Sequence, residues 1–386
     1  MSNIYKVFSK VILNRITKAL DDNQPREQAG FRSGYSTLDH IHVVKQVIEK
    51  SKEFNMPLYC CFVDYSKAFD SLEHGKIWQA LKNQGIEHKY IRIIRNSSAK
   101  IKLEREGSEI RIERGVRQGD PLSPKLFSAV LEEIFKILKW KNYGLNINGE
   151  NLNHLSRKVG LLMNTLKTKV MTNSKREPII INGNEIEYVE EYTYLGQVVS
   201  PTDLTSKEIN TRIGNAWKRY WSLREIMKNK EISKAIKIRI YNTCILPILT
   251  YVCQTWAVTK AHNQNLEVCH RSMERSMLKI RKSDKIRNKY VRKITKLENI
   301  TYTIRKNKWR WTGHTLRGSE KWSKTVMSWY PIYRKRNRGR QYKRWEDDIK
   351  AVAGTMWSRI ARERTYWKKL EEAYANQGQT DTVSLI

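Results

Sequence analysis

No stretch of this sequence reaches the roughly 18 apolar residues that a membrane-spanning helix needs. The best candidate, Ile245 to Val252, is short and broken by Pro247. Cysteine is scarce as well, with five residues at positions 60, 61, 244, 253 and 269. Odd in number and placed in apolar or mixed runs, they read as reduced, intracellular thiols rather than a disulfide framework. Cys253, His262, Cys269 and His270 follow no common zinc-ligand spacing. The largest deficit is in acidic residues: 39 Asp and Glu face 73 Lys and Arg, a formal net charge of +34 with a pI near 9.9. The expected partner is therefore a polyanion. With 386 residues the chain has room for two or three domains and a sizeable core. Its first twenty residues hold four Lys or Arg and no acid, which mimics a targeting helix. Ile4, Val7, Phe8, Val11, Ile12, Ile16 and Leu20 instead favour an ordinary helix with one apolar face.

The chemistry begins at Leu58 to Val63, a short apolar run read as a buried strand that ends on Asp64 and enters a turn. A carboxylate at a strand mouth can hold a divalent cation against phosphate oxygens. Mg²⁺ suits that arrangement because one or two carboxylates plus substrate phosphates suffice for it. As a lone residue, a strand-end Asp is more often a turn former or helix cap. Upstream, Asp21 to Pro25 is a dense breaker cluster, and Gly30-Phe31-Arg32-Ser33-Gly34 could cradle phosphate or simply turn. Leu38, Ile41, Val44 and Ile48 mark a helix. Downstream, a helix through Trp78 and Leu81 ends near Gly85. Lys100 to Arg114 reads as a hairpin turning at Glu106-Gly107-Ser108. Gly115 to Pro124 opens an amphipathic helix whose positive end suits a triphosphate. Further hairpins are expected around Asn148-Gly149 and Asn182-Gly183.

From about residue 205 the pattern is mainly helical and increasingly basic. Residues 281 to 345 carry 22 Lys or Arg against three acids, Asp284, Glu298 and Glu320. Seven of the twelve tryptophans fall after residue 305. Cations interleaved with aromatics suit a nucleic-acid strand held by phosphate and stacked by base. The same tryptophans could equally be the core of a helical domain. Arg334, Lys335, Arg336, Arg338 and Arg340 form the densest run, a nucleic-acid contact or nuclear-import patch.

Phe62-x-Asp64-Tyr65-x-Lys67-Ala68-Phe69-Asp70 and Arg117-Gln118-Gly119-Asp120-Pro121-Leu122-Ser123-Pro124 resemble the first two boxes of non-LTR (LINE-type) retrotransposon reverse transcriptases. The resemblance extends to Ala29-Gly30-Phe31-Arg32, to the Tyr192 to Gly196 strand, and over nearly the whole chain. It implies an α+β polymerase right hand of fingers, incomplete palm and thumb, followed by a basic, mainly helical C-terminal region. The divisions are 1–200 for fingers and palm, 201–280 for a thumb-like region, and 281–386 for nucleic-acid binding. It implies RNA-directed DNA synthesis on an RNA template and DNA primer from deoxynucleoside triphosphates, in nucleus or cytoplasm and away from membranes. By the same resemblance Asp64 is the Mg²⁺ ligand, Lys167 a proton donor to pyrophosphate, and Phe69 the aromatic gate under the sugar. Arg32, Arg117, Gln118 and Gly119 meet nucleotide or template, and Tyr194, Leu195 and Gly196 form the primer grip.

One family landmark is missing. A hairpin bearing an aromatic-Ala-Asp-Asp turn belongs between the Asn-Gly hairpin and the Gly-Leu-x-x-Asn-x-x-Lys-Thr segment. Here Asn151 to Leu155 runs straight into Ser156 to Leu161. The absent piece amounts to about 25–40 residues at ordinary element lengths. Asp347-Asp348, in helical surroundings, and the breaker pair Asp21-Asp22 are poor substitutes. The family also carries an Asn-Tyr-Arg-Pro-Ile-Ser-Leu segment before this Met1, and often an endonuclease. The chain is thus expected to be a fragment defective in catalysis; the rival readings are a nucleic-acid-binding remnant and an unstable pseudogene product.

Overall fold

The structure is a computed structural model that describes residues 2–96, 99–102, 106–110, 113–137, 161–181, 183–202, 205–318, 321–331, 334–339 and 342–377. The Asn148-Gly149 hairpin expectation lies outside these residues. The described chain is mainly helical, with five two-stranded antiparallel sheets. It divides into two compact units, one of residues 1–36 and 57–190, the other of 37–56 and 191–386.

In the first unit the helix Asn3–Asp22 is capped by Ser2, whose hydroxyl accepts the Tyr5 N–H at 3.2 Å. Its apolar residues do not form the single face expected. Ile12, Leu13, Ile16 and Leu20 are buried, whereas Ile4, Val7, Phe8 and Val11 are exposed. At about 100° per residue the burial stripe of the last two turns does not extend to the first two. Helices His74–Asn83 and Ser123–Ile137 complete the core with Ile77, Leu81, Leu126, Val130 and Ile134. Gly85 follows the former with φ +77°, the left-handed stop that glycine provides without strain.

The Asp64 strand is Tyr59–Phe62 and is half-buried along its length, not buried. It pairs with Lys169–Thr172, Phe62 opposite Lys169. The strand Glu106–Ile110 contains Glu106-Gly107-Ser108, so these residues lie in a strand rather than in the turn. It pairs with Ala99–Lys102, with a register shift between Lys100 and Lys102. Ile181 and Asn184 pair across Gly183, which has φ +74°.

The second unit has two cores. One gathers Tyr220, Tyr241, Trp256, Leu266 and Met273. The other gathers Trp309, Trp345, Trp357, Trp367 and Tyr374. Trp309 and Trp367 stack at 3.7 Å between centroids and 6° between planes. Each indole N–H donates to the other's carbonyl, at 2.9 and 3.0 Å. These tryptophans are core, which decides the question their composition left open. Trp311 packs partly buried beside them, and Trp322 and Trp329 are exposed.

The helix Thr37–Glu53 belongs to this second unit and is buried on nearly every face. Ile41 and Ile48 are buried as their spacing predicts, but so are Asp39, His42, Glu49, Lys50 and Glu53. Each charge has a partner. Asp39 accepts from Ser323 at 3.0 Å and pairs with Lys321 at 3.1 Å. Glu49 accepts the Trp345 N–H at 2.9 Å, and Lys50 donates to the Val326 carbonyl at 3.0 Å. Glu53 pairs with Arg336 at 2.7 Å. Such burial is tolerated because these carboxylates and the Lys50 ammonium are satisfied. Both His42 ring nitrogens lack a hydrogen-bond partner among the described residues, and burial with the nearby lysines holds that imidazole well below its usual pKa.

Candidate active site

Two short strands flank Asp64: Tyr59–Phe62 before it, and Tyr65–Ser66, which pairs with Leu162–Met163. Between the two ladders, Val63 and Asp64 face the longer segment Asn164 to Thr168, so the partner chain bulges outward. The bulge is clasped to the Asp64 backbone at both ends. The Asp64 N–H donates to Thr168 Oγ1 at 3.2 Å, and its carbonyl accepts the Asn164 N–H at 2.8 Å. Asn164 Oδ1 in turn accepts the Lys167 N–H at 3.1 Å. Lys167 Nζ thereby stands 3.9 Å from Asp64 Oδ2, with side chains 73% and 41% exposed. Asn164 and Thr168, to which no role was assigned, are what position this pair. Their signal was present in the Asn-x-x-Lys-Thr spacing.

Phe69 stacks on Phe127 at 5.1 Å and meets Phe31 edge-on at 6.5 Å. Its carbonyl accepts the Val116 N–H at 2.7 Å, and Leu72 O accepts the Gly115 N–H at 2.7 Å. Gly115 has φ +84°, and a Cβ there would lie 2.8 Å from the Asp70 carbonyl oxygen. Only glycine fits that approach. The loop then closes a turn in which Asp120 N–H donates to Arg117 O at 3.3 Å, with Gly119 at φ +79°. Buried Asp120 caps the following helix through the Leu122 N–H at 3.0 Å and accepts from the Tyr5 hydroxyl at 3.3 Å. Arg117 lies 4.9 Å over the Tyr5 ring. Gln118 and Gly119 are left exposed at the tip. Arg32 donates to the Pro25 carbonyl at 2.7 Å and lies over Tyr35 at 4.8 Å.

The remaining site residues belong to the second unit. Tyr194, Leu195 and Gly196 form the tip of the hairpin Tyr192–Tyr194 and Gln197–Val199. Leu195 and Gly196 have φ of +50° and +77°, a two-residue turn of the kind that matches hairpin twist. The tip is pinned by the Tyr251 hydroxyl, which donates to Leu195 O at 2.9 Å, and by Arg212 on Gly196 O. Arg334, Lys335 and Arg338 are exposed, Arg336 is taken up by Glu53, and Arg340 lies outside the described residues. Asp348 is bound by Lys308 and Lys343 and Asp347 by Arg344. Burial raises the Asp348 carboxyl, but the two lysines prevail and hold it below its usual range.

Residues 1–154 match the reverse transcriptase (RNA-dependent DNA polymerase) family. The chain is 32% identical over 154 residues to the Pol polyprotein of the R2 retrotransposable element of Nasonia vitripennis, covering 38% of this chain and 15% of that protein. This chain carries a reverse transcriptase domain of a non-LTR retrotransposon. It is also 27% identical over 229 residues to a transposon-derived protein of Caenorhabditis elegans, 54% of this chain and 82% of the relative. The RNA-directed DNA polymerase from the mobile element jockey of Drosophila funebris shares 24% identity over 323 residues, 72% of this chain and 35% of the relative. The chain therefore spans most of the nematode protein but only a minor part of the R2 and jockey proteins.

Reverse transcriptases act on nucleic-acid templates with nucleotide substrates and divalent metal ions. Among the described residues no group of three or more His, Cys, Asp or Glu could hold a metal ion. Asp64 offers one carboxylate there, beside Lys167 Nζ at 3.9 Å. No described helix is long and apolar enough to cross a membrane.

Proposed function

We propose that this reverse transcriptase domain engages a template, a primer and deoxynucleoside triphosphates but does not complete the two-ion centre that DNA synthesis requires. The observation that carries the reading is the Asp64 surroundings: a strand-end carboxylate answered by Lys167 at 3.9 Å. The sequence supports it, since Asn151 to Leu155 joins Ser156 with no Asp-Asp turn between, and the family match stops at residue 154. In this reading Asp64 is the surviving Mg²⁺ carboxylate and Lys167 its neighbouring cation. Phe69, held between Phe31 and Phe127, is the gate for the sugar. Arg32, Arg117, Gln118 and Gly119 line the nucleotide and template path, and Tyr194, Leu195 and Gly196 hold the primer. Residues 1–200 act as fingers and palm, 201–280 as thumb and 281–386 as a basic nucleic-acid-binding region.

The test is deoxynucleotide incorporation by the full chain on an RNA template, in Mg²⁺ and in Mn²⁺, with Asp64→Ala as the blank. Loss of one ion clamp lowers the rate on the order of 10²–10⁴-fold or more, so incorporation should not exceed the blank. Robust extension that Asp64→Ala abolishes overturns the proposal.

A further inference from the structure

Three lysines in the second unit close successive turns with a left-handed backbone. Lys279 (φ +61°) ends the helix Lys260–Leu278, Lys285 (φ +46°) ends the turn Lys282–Asp284, and Lys296 (φ +52°) ends the helix Asn288–Thr295. Glycine adopts this conformation without the Cβ clash that lysine meets, and helix ends favour it there. A cation near a helix C-terminus is helped by the dipole, but the last turn of Asn288–Thr295 already carries Arg292 and Lys293. Fold stability alone therefore gives no reason for three lysines in place of three glycines. All three are exposed, as is every residue from 281 to 290.

The stretch they punctuate, 279–296, holds nine Lys or Arg and one acid. That acid, Asp284, is committed to the backbone, accepting the Arg281 N–H at 2.7 Å. Tyr290 stands 57% exposed among the cations. Val291 and Thr295 anchor the helix inward, and Arg275 fixes its start through Asn288 Oδ1 at 2.9 Å. An exposed stretch of cations that also carries an open aromatic ring is complementary to a nucleic-acid strand, phosphates to the lysines and a base to the ring. We propose that residues 279–296 are a nucleic-acid contact surface, with Lys279, Lys285 and Lys296 on backbone phosphates and Tyr290 stacking on a base. This deepens the reading of the chain as one that handles template and primer, and rests on it.

The experiment is fluorescence anisotropy of a labelled single-stranded RNA with the full chain across a salt series. A variant combining Lys279→Gly, Lys285→Gly and Lys296→Gly should melt no lower than the parent. At 0.1 M salt it should bind on the order of 10- to 100-fold more weakly, with a log–log salt slope shallower by about 2. The three matching Lys→Arg changes should keep both affinity and slope. Tyr290→Ala should weaken binding with the slope unchanged. A control with Lys218, Lys230 and Lys234 changed to Gln, exposed cations of the same unit outside residues 281–386, should bind close to the parent. Equal losses in the control and the glycine variant would reduce the effect to net charge and overturn the inference. So would a glycine variant that binds like the parent, or one that melts lower. A parent chain that fails to bind RNA at any salt overturns the functional reading along with it.

Discussion

The surroundings of Asp64 and those of the Thr37–Glu53 helix treat charge in opposite ways. Asp64 and Lys167 meet at 3.9 Å in the open, on a bulge held by backbone hydrogen bonds. Around Thr37–Glu53 the charges are buried, and several accept or donate to backbone groups hundreds of residues away. Burial pushes the Glu49 carboxyl up to about 7, against the opposing Trp345 N–H bond and the nearby lysines. It also lowers the ammonium of fully buried Lys308. Perturbed acidities commonly mark catalytic sites, but ion-pair networks that hold structure produce them too. The lesson is that the strongest electrostatic signal here marks a structural joint, while Asp64 and Lys167, part of the resemblance to a polymerase centre, form an ion pair with side chains 41% and 73% exposed.

That contrast can be broken at its strongest point by Trp345→Ala. The residue is 1% exposed; its backbone N–H on Glu49 survives in alanine, but the ring that packs on His42 at 4.6 Å and the indole N–H that donates to Gln254 O at 2.7 Å are lost. The expected loss is about 3–5 kcal/mol, read by urea unfolding followed by circular dichroism. A loss below about 1 kcal/mol would remove the joint from the account. A second test uses pH. Glu49 has a folded pKa above its unfolded value near 4.5, so its contribution is fully present below pH 4.5 and is lost as pH rises through about 7. Between pH 5 and 8 the parent should lose on the order of 2–3 kcal/mol that Glu49→Gln does not lose. Parallel stability curves would contradict the assignment.

On the other side of the comparison, Gly115→Ala should destabilise the first unit by about 1–3 kcal/mol, from the left-handed backbone and the clash with Asp70 O. An unchanged unfolding midpoint would show that the loop relaxes freely. The smallest effect belongs to the site itself. Lys167→Ala should change stability by only about 0–1 kcal/mol, as exposed ion pairs do. A larger change would mean that Asp64 and Lys167 are as structural as Glu49.

Much of the Asp64 frame was legible because its cues are local: an apolar run ending on Asp64, a Gly/Pro loop opening the Ser123–Ile137 helix, and glycines where φ is positive. The Thr37–Glu53 helix was legible only as a helix. Its periodicity shows Ile41 and Ile48, but nothing near Glu49 or Asp39 announces that Trp345 and Ser323 will meet them. The tryptophans after residue 305 were ambiguous for a related reason, since composition cannot distinguish an indole stacked on another from one that awaits a base. The turn placed at Glu106-Gly107-Ser108 erred because a glycine inside a strand looks, in sequence, like a turn.

The Glu49 to Trp345 bond also has a history in time. The two residues are separated by 296 positions, and a ribosome adds about 5–20 residues per second. The Thr37–Glu53 helix therefore emerges about 15–60 s before the segment that completes its surroundings. During that interval Asp39, Glu49 and Glu53 remain hydrated, and their charge keeps Ile41 and Ile48 from being part of a bare apolar ridge. Residues that later form a buried joint thus serve first as the nascent chain's own solubilising groups.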